Sequence, residues 1–285
     1  MSSPLLITGA TGTVGEAVVR QLLQEQVRCR VAVRQPNRAQ DLFGDRVDAI
    51  RFNFLEPDTF ASAFAEITHL FLVRPPALSQ AKQIAPALVA AKAAGIKQVV
   101  FLSLMGVERN QIVPHAAIER CIQELELPFT FLRAGFFMQN LSTTHREDIQ
   151  LRDDIFIPAG RGKTSFIDAR DIAAVAVLAL THTGHEFQAY TLTGQEALNY
   201  DTVARILSEV LDRPIHYSRP GLLKFIRTMR DRGLPLDFVL VMAGIYTTTR
   251  LGWAEHITSD VERLLGRSPT TLQQFVEDYR SVWQR

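Results

Sequence analysis

Leu5-Leu6-Ile7-Thr8-Gly9-Ala10-Thr11-Gly12-Thr13-Val14-Gly15 is the stretch on which the fold turns. An apolar, β-branched run leads into three glycines. Val14, Ala17, Val18, Gln21 and Leu22 then recur at helical spacing, so a strand over Leu5–Thr8 feeds a helix from Thr13 to about Gln26. That context is what a dinucleotide site requires. Gly9 suits the tight turn, Gly12 lets the backbone approach a pyrophosphate, and Gly15 lets the helix pack closely on the strand. Free N–H groups and the dipole at the helix start favour phosphate there, and Thr11 and Thr13 add hydroxyl donors. A glycine-rich turn without a ligand is the plainer alternative; the flanking strand and amphipathic helix favour the nucleotide.

Outward from this unit the pattern repeats. Strands are expected at Arg28–Val33 (with Cys29, Val31 and Val33 on one face), Val47–Phe52, His69–Val73, Gln98–Ser103 and Phe129–Arg133. Helical stretches fall near Asp58–Glu66, Gln80–Ala94 and Ala116–Glu126. Strict alternation implies crossover units, hence an α/β fold of Rossmann type: a doubly wound parallel sheet. After Arg133 the alternation loosens, and from Pro220 the chain reads as nearly all helical, broken at Gly233-Leu234-Pro235 and Arg267-Ser268-Pro269. The expected organisation is a nucleotide-binding core over residues 1–155. Residues 156–285 supply final core elements and a small, mostly helical C-terminal cap subdomain, all in one integrated domain.

Bulk composition narrows the function. The 285 residues carry 31 basic and 30 acidic side chains, a formal charge of +1, so no basic excess serves nucleic acid binding. The two cysteines, Cys29 and Cys121, have no metal-type spacing and give no disulfide framework. Met1–Pro4 lacks the charged start of a secretory signal, and no run of 18 apolar residues occurs, so a cytoplasmic protein with no membrane partner is expected.

The second strand ends in Val33-Arg34, where a site for NAD usually ends in an acid that holds the ribose 2′-hydroxyl. Arg38 lies one helical turn beyond. Two guanidinium groups suit the 2′-phosphate of NADP(H), which is favoured over NAD(H); two solvated arginines are the alternative.

Together with later segments, these residues resemble the NmrA-like branch of the atypical short-chain dehydrogenase/reductase superfamily. The resemblance is carried by Gly9–Gly15 and Val33-Arg34-Gln35-Pro36, by Val99-Val100-Phe101-Leu102-Ser103, and by the helix of His115 and Glu119. It continues through Phe131–Asn140, Phe166–Ala173, Asp260–Arg267 and Phe275–Tyr279. It implies a Rossmann core that binds NADP(H) beneath a small C-terminal subdomain. Members include quinone and azo reductases, reductases of iminium intermediates, and redox sensors that bind cofactor without turnover. By matching positions, Gly9, Thr11, Gly12, Thr13 and Val14 would hold the pyrophosphate and Arg34 the 2′-phosphate. Asn53-Phe54 stands near the adenine place, where members usually carry an acid, and Val73-Arg74 would border the nicotinamide ribose.

Typical members of the superfamily place a Tyr and a Lys one helical turn apart beside a Ser. Here Ser103 ends a strand, but His115 stands at the Tyr position and Glu119 at the Lys position. At i and i+4 the two share a face, so Glu119 is expected to orient His115 and raise its pKa towards a proton donor, against the helix N-terminus. A surface His–Glu pair, or a histidine that only positions ligand, fits the same spacing. Iminium ions and quinones tolerate a site without Tyr better than plain carbonyls do, because hydride addition leaves a neutral amine or a weakly basic anion and no alkoxide; the acceptor expected is of this electron-poor kind, quinone, imine or azo. An apolar acceptor would meet Phe136, Phe137 and Met138, with Asn140 fixing a polar group; aromatic packing explains each singly just as well. In the cap, Phe238, Met242, Tyr246 and Trp253 fit either a roof or a core. The sequence therefore supports an NADP(H)-dependent reductase of a small electron-poor acceptor. The competing reading is a silent NADP(H) sensor acting through a protein partner, which an exposed apolar patch on the cap would favour.

Overall fold

The computed structural model describes residues 5–285. Met1–Pro4, read above for a missing secretory signal, lies outside them. In chain order the elements are β1 (Leu5–Thr8), α1 (Thr13–Gln24), β2 (Arg30–Val33), α2 (Pro36–Phe43), β3 (Asp48–Arg51), α3 (Phe60–Phe64) and β4 (His69–Leu72). Then follow α4 (Ala85–Ala93), β5 (Gln98–Leu104), α5 (Pro114–Glu124), β6 (Phe129–Ala134), β7 (Phe136–Phe137), α6 (Gln139–Ser142), α7 (Arg146–Arg152), β8 (Asp154–Ile155) and β9 (Lys163–Ile167). The remainder comprises α8 (Ala169–Thr181), β10 (Gln188–Leu192), β11 (Ala197–Asn199), α9 (Tyr200–Leu211), β12 (His216–Tyr217), α10 (Leu222–Asp231), α11 (Leu236–Arg250), α12 (Asp260–Leu265) and α13 (Leu272–Asp278).

The chain forms two compact units. One holds residues up to Ala134 with Ala169–Leu192; the other holds Gly135–Asp168 and Thr193–Arg285. The expected division at 155 is thus replaced by an interleaved one, because the chain leaves the sheet at Ala134 and returns for α8 and β10. The first unit is a seven-stranded parallel sheet in the order β10-β6-β5-β4-β1-β2-β3. The order reverses between β1 and β4, the place where open α/β sheets bind ligands outside the carboxyl ends of the strands.

Around β2, Cys29, Val31 and Val33 are buried on the face expected of them, and burial extends beyond that face. Val31, Ala32 and Val33 are all buried, since a strand between β1 and β3 in a doubly covered sheet has no solvent face. One layer of the core packs Leu6, Phe52, Leu70, Val99 and Phe131 against Phe60, Leu88, Ile118 and Ile122 of α3, α4 and α5. The single helix expected over Gln80–Ala94 is a 3-10 turn, Ala81–Gln83, followed by α4, whose start carries Pro86, which has no N–H to continue a preceding helix.

The second unit has small sheets as well as helices. β9 pairs with β7 in parallel and with β11 antiparallel, and β8 pairs with β12. Its core joins Met138, Phe166, Tyr200, Phe225, Met242, Tyr246, Phe275 and Trp283. Of the side chains considered for a roof, Met242 and Tyr246 therefore belong to the core, whereas Phe238 and Trp253 are exposed. Among the described residues, no helix is long and apolar enough to cross a membrane.

Candidate functional site

The glycine turn is built by contacts that tolerate no side chain. Gly9 has φ +65°, and Gly12 N–H donates to the Gly9 carbonyl at 2.9 Å. A Cβ on Gly15 would lie 2.1 Å from that same carbonyl oxygen, so the third glycine is what lets α1 start directly on the turn. Gly12 caps α1 with no side-chain hydrogen bond, which leaves the first helical N–H groups of Thr13, Val14 and Gly15 without helical acceptors. Gly12 and Thr13 are exposed, Thr11 is half-buried, and Val14 is buried and contributes only backbone. The turn thus offers a surface of unpaired donors at the positive end of a twelve-residue helix, the geometry that suits a pyrophosphate.

Two neighbours complete this edge. Arg34 and Arg38 are exposed just past β2 and at α2, with no acid at the end of the strand. On the other side of β1, the Thr8 hydroxyl donates to Phe71 O at 3.0 Å and accepts from Val73 N–H at 2.9 Å, tying the ends of β1 and β4 together. Val73 then lies against Gly9, where an added Cβ would come within 2.9 Å of the valine's own. Asn53 serves its own turn, donating to Glu56 at 2.8 Å and accepting from Leu55 N–H at 3.1 Å. Phe54 is buried, edge-on to Phe52 at 4.8 Å. Neither side chain is offered freely to an adenine.

Arg74 and His115 meet at the same end of the sheet, with the Arg74 Nε–H donating to His115 Nε2 at 3.4 Å. The imidazole stacks on Phe101, and its Nδ1 is buried with no partner. Burial first, then the Arg74 charge, push the His115 pKa down to about 4. This reverses the expectation of a histidine raised by Glu119. Glu119 is engaged elsewhere: its carboxylate accepts from Ser103 Oγ at 2.5 Å and from Arg133 Nε and Nη2 at 3.2 and 2.7 Å. The Arg133 pKa is raised, first by that hydrogen bond. Ser103 and Glu119 are both buried, so they form a closed ionic latch across β5, β6 and α5. α5 contains neither tyrosine nor lysine. Arg74 was expected only to border a ribose; its contact with His115 could not be seen because it bridges residues 41 apart.

In the second unit, Phe136 is half-buried, edge-on to Phe166 at 5.7 Å and tilted on Tyr246 at 5.9 Å. Phe137 and Asn140 are half-buried, and Met138 lies in the core.

The sequence profile of the NmrA-like family matches residues 1–277. The chain belongs to the NmrA-like family. An NAD(P)H azoreductase from Xenophilus azovorans is 32% identical over 283 residues, covering 98% of this chain and 99% of that protein. The agroclavine dehydrogenase of Claviceps fusiformis is 29% identical over 98% of both chains. Among solved structures, the Citrobacter sp. triphenylmethane reductase complexed with NADP(H) is similar, with a TM-score of 0.85 and 26% identity. That match covers 96% of this chain and 99% of the other. The NADPH-dependent quinone oxidoreductase of Escherichia coli complexed with NADPH shares the fold, with a TM-score of 0.87, 24% identity and coverage of 97% and 99%. Each of these matches covers nearly the whole of both chains.

Proposed function

We propose that this NmrA-like chain is an NADP(H)-dependent oxidoreductase that reduces a small, apolar, electron-poor acceptor of the quinone, imine or azo type. The observation that carries the reading is the cradle at Gly9, Gly12 and Gly15. It packs backbone on backbone and leaves unpaired N–H donors where a pyrophosphate would rest. Arg34 and Arg38 would take the 2′-phosphate through charge-assisted hydrogen bonds. NADPH, when bound, supplies a hydride. Val73 closes the floor beside the turn, and Arg74 and His115 stand next along the sheet edge. His115, neutral at ordinary pH, can donate a hydrogen bond but holds no acidic proton to give. Acceptors that need no strong acid fit that arrangement best. In the second unit, Phe136, Phe137 and Asn140 are the proposed acceptor-binding residues, with Met138 packing behind them.

A second reading has its own support. α11 and the segment after it expose Leu240, Val241, Ile245, Leu251 and Trp253, an apolar face of the kind that a sensor would present to a protein partner. The test is calorimetric titration with NADPH, NADP⁺, NADH and NAD⁺, followed by NADPH absorbance with menadione, a cyclic imine and an azo dye. Tight NADPH binding with oxidation supports the reductase. Tight binding with no turnover of any acceptor transfers support to the sensor, and absence of nucleotide binding rejects both.

A further inference from the structure

Arg74 is a cation held by carbonyl oxygens. Its Nη1 donates to the carbonyls of Pro75, Pro76 and Leu78 at 3.1, 3.3 and 2.8 Å, which fixes the guanidinium, yet no described carboxylate pairs with it. Its remaining directed contact is Nε–H to His115 Nε2. A guanidinium only donates, so His115 Nε2 must present its lone pair, and the proton of the neutral ring then sits on Nδ1. That Nδ1–H is the buried group without a partner. His115 also lies in the first turn of α5, whose Val113 cap makes no side-chain hydrogen bond, so the helix end adds partial positive charge. An unpartnered buried donor, a guanidinium that no described carboxylate pairs with and the first turn of α5 are thus gathered around one imidazole, and each is satisfied by negative charge.

We propose, resting on the reductase reading, that Arg74 and His115 select neutral acceptors that become anions as hydride arrives, such as quinones and azo compounds, over cationic acceptors such as iminium ions. The acceptor gains two electrons and one hydrogen from NADPH as a new C–H or N–H bond forms. Its π pair moves to the oxygen or distal nitrogen, which becomes anionic. His115 Nδ1–H hydrogen-bonds that atom without losing its proton, and Arg74 stabilises the charge from behind the ring. A neutral histidine can polarise a developing oxyanion in this way. Water later protonates the product, and NADP⁺ is left. A cationic acceptor loses its charge in the same step and gains nothing from the pair.

The test compares menadione with an N-methyldihydroisoquinolinium ion in wild type, Arg74→Met and His115→Phe, after NADPH affinity has been measured for each. Arg74→Met is expected to lower kcat/KM for menadione roughly a hundredfold, the usual effect of losing a charge-stabilising donor. The iminium value should hold or rise. Nitrogen NMR of the histidine rings, assigned by the His115→Phe difference, is expected to show the Nδ1–H tautomer in wild type and its loss in Arg74→Met. His115→Phe keeps the stacking on Phe101 and serves if Arg74→Met does not fold; it should lose menadione activity about tenfold or more with the iminium rate retained. An unchanged ratio of the two acceptors, or an Nε2–H or charged ring at pH 7, overturns the proposal while leaving the reductase reading intact. Equal losses on both acceptors with weakened NADPH binding also overturn it, because Arg74 would then serve the cofactor. Wild type that binds NADPH but reduces neither acceptor, nor an azo dye, removes both readings.

Discussion

Replacing Gly15 with alanine would put a methyl group 2.1 Å from the Gly9 carbonyl oxygen, 2.6 Å from its carbon and 3.0 Å from Ala10 N. All three are backbone atoms. Real methyl contacts essentially never fall below 3.0 Å, so α1 and the turn must part by at least the difference, 3.0 − 2.1 = 0.9 Å. Neither side yields easily. The turn is fixed by Gly9 at φ +65° and by its hydrogen bond from Gly12, while α1 is anchored by the buried Val14, Val18, Val19 and Leu22 and packs on α8. Overpacking of this kind costs about 1–3 kcal/mol or more, and alanine's better helix propensity returns up to about 1 kcal/mol. The net expectation is a loss of about 2 kcal/mol, read from the urea midpoint, with NADPH affinity falling by about a hundredfold or more as the donors move out of line. Gly12→Ala is the control. Its methyl would meet only the Gly9 carbonyl, at 3.3 Å, and its φ of −103° suits alanine. Its stability should change by less than about 1 kcal/mol, while the exposed methyl blocks the proposed pyrophosphate seat and weakens NADPH at least about tenfold. A Gly15→Ala protein with wild-type midpoint and affinity would refute the steric reasoning; unaltered NADPH affinity in Gly12→Ala would refute the placement of the pyrophosphate.

Arg34→Ala and Arg38→Ala should each weaken NADPH about tenfold or more and leave NADH unchanged, since each removes a charge-assisted hydrogen bond to a group only NADPH carries; equal losses for both nucleotides would show that the arginines do not read the 2′-phosphate. Glu119→Ala strips Arg133 and Ser103 of their shared acceptor and should cost about 3–5 kcal/mol in urea unfolding; a change under about 0.5 kcal/mol, typical of a surface site, would contradict a buried latch. His145 is buried, and desolvation outweighs the raising effect of Asp148 to push its pKa down to about 4. The unfolded chain, with this group at its ordinary value of 6.5, therefore binds the extra proton, and stability must rise with pH across the interval from about 4 to 6.5. That amounts to about 3 kcal/mol for this group. His145→Phe should flatten the slope of urea midpoint against pH in that interval, and an equal slope in the variant would disprove the assignment.

The fold was legible because its signals are local and repeated. Each crossover unit writes its own strand and helix into the sequence, and the Gly9–Gly15 spacing is a backbone requirement that only glycine meets. The departures were of two physical kinds. At β2 the expected face of Cys29, Val31 and Val33 is buried, but cover on the other side of the sheet hides Ala32 as well. The later half supplies the last core elements, α8 and β10, but the chain leaves the sheet at Ala134 and not at 155, a point that hydrophobic periodicity does not encode. Asn53 and Phe54 were marked by position alone. The structure shows that an asparagine closing its own turn and a phenylalanine in the core already have local tasks.

The site chemistry was the least legible part, and the reason lies in strand register. Helical spacing correctly put His115 and Glu119 on one face of α5, and from the helix alone they are natural partners. The sheet beneath that face decides otherwise. β5 and β6 pair so that Ser103 stands opposite Arg133, which presents a hydroxyl and a guanidinium side by side under the inner turn of α5. A buried carboxylate gains more from a charged, two-point donor than from an imidazole that would itself have to be charged in a buried place. Glu119 therefore turns to β5 and β6. His115, one turn closer to the helix start, meets Arg74 instead, from the segment that follows β4. The consequence reaches function: a histidine that keeps its glutamate would be an acid near neutral pH, whereas one facing an arginine is held neutral and is left only its hydrogen bond to offer.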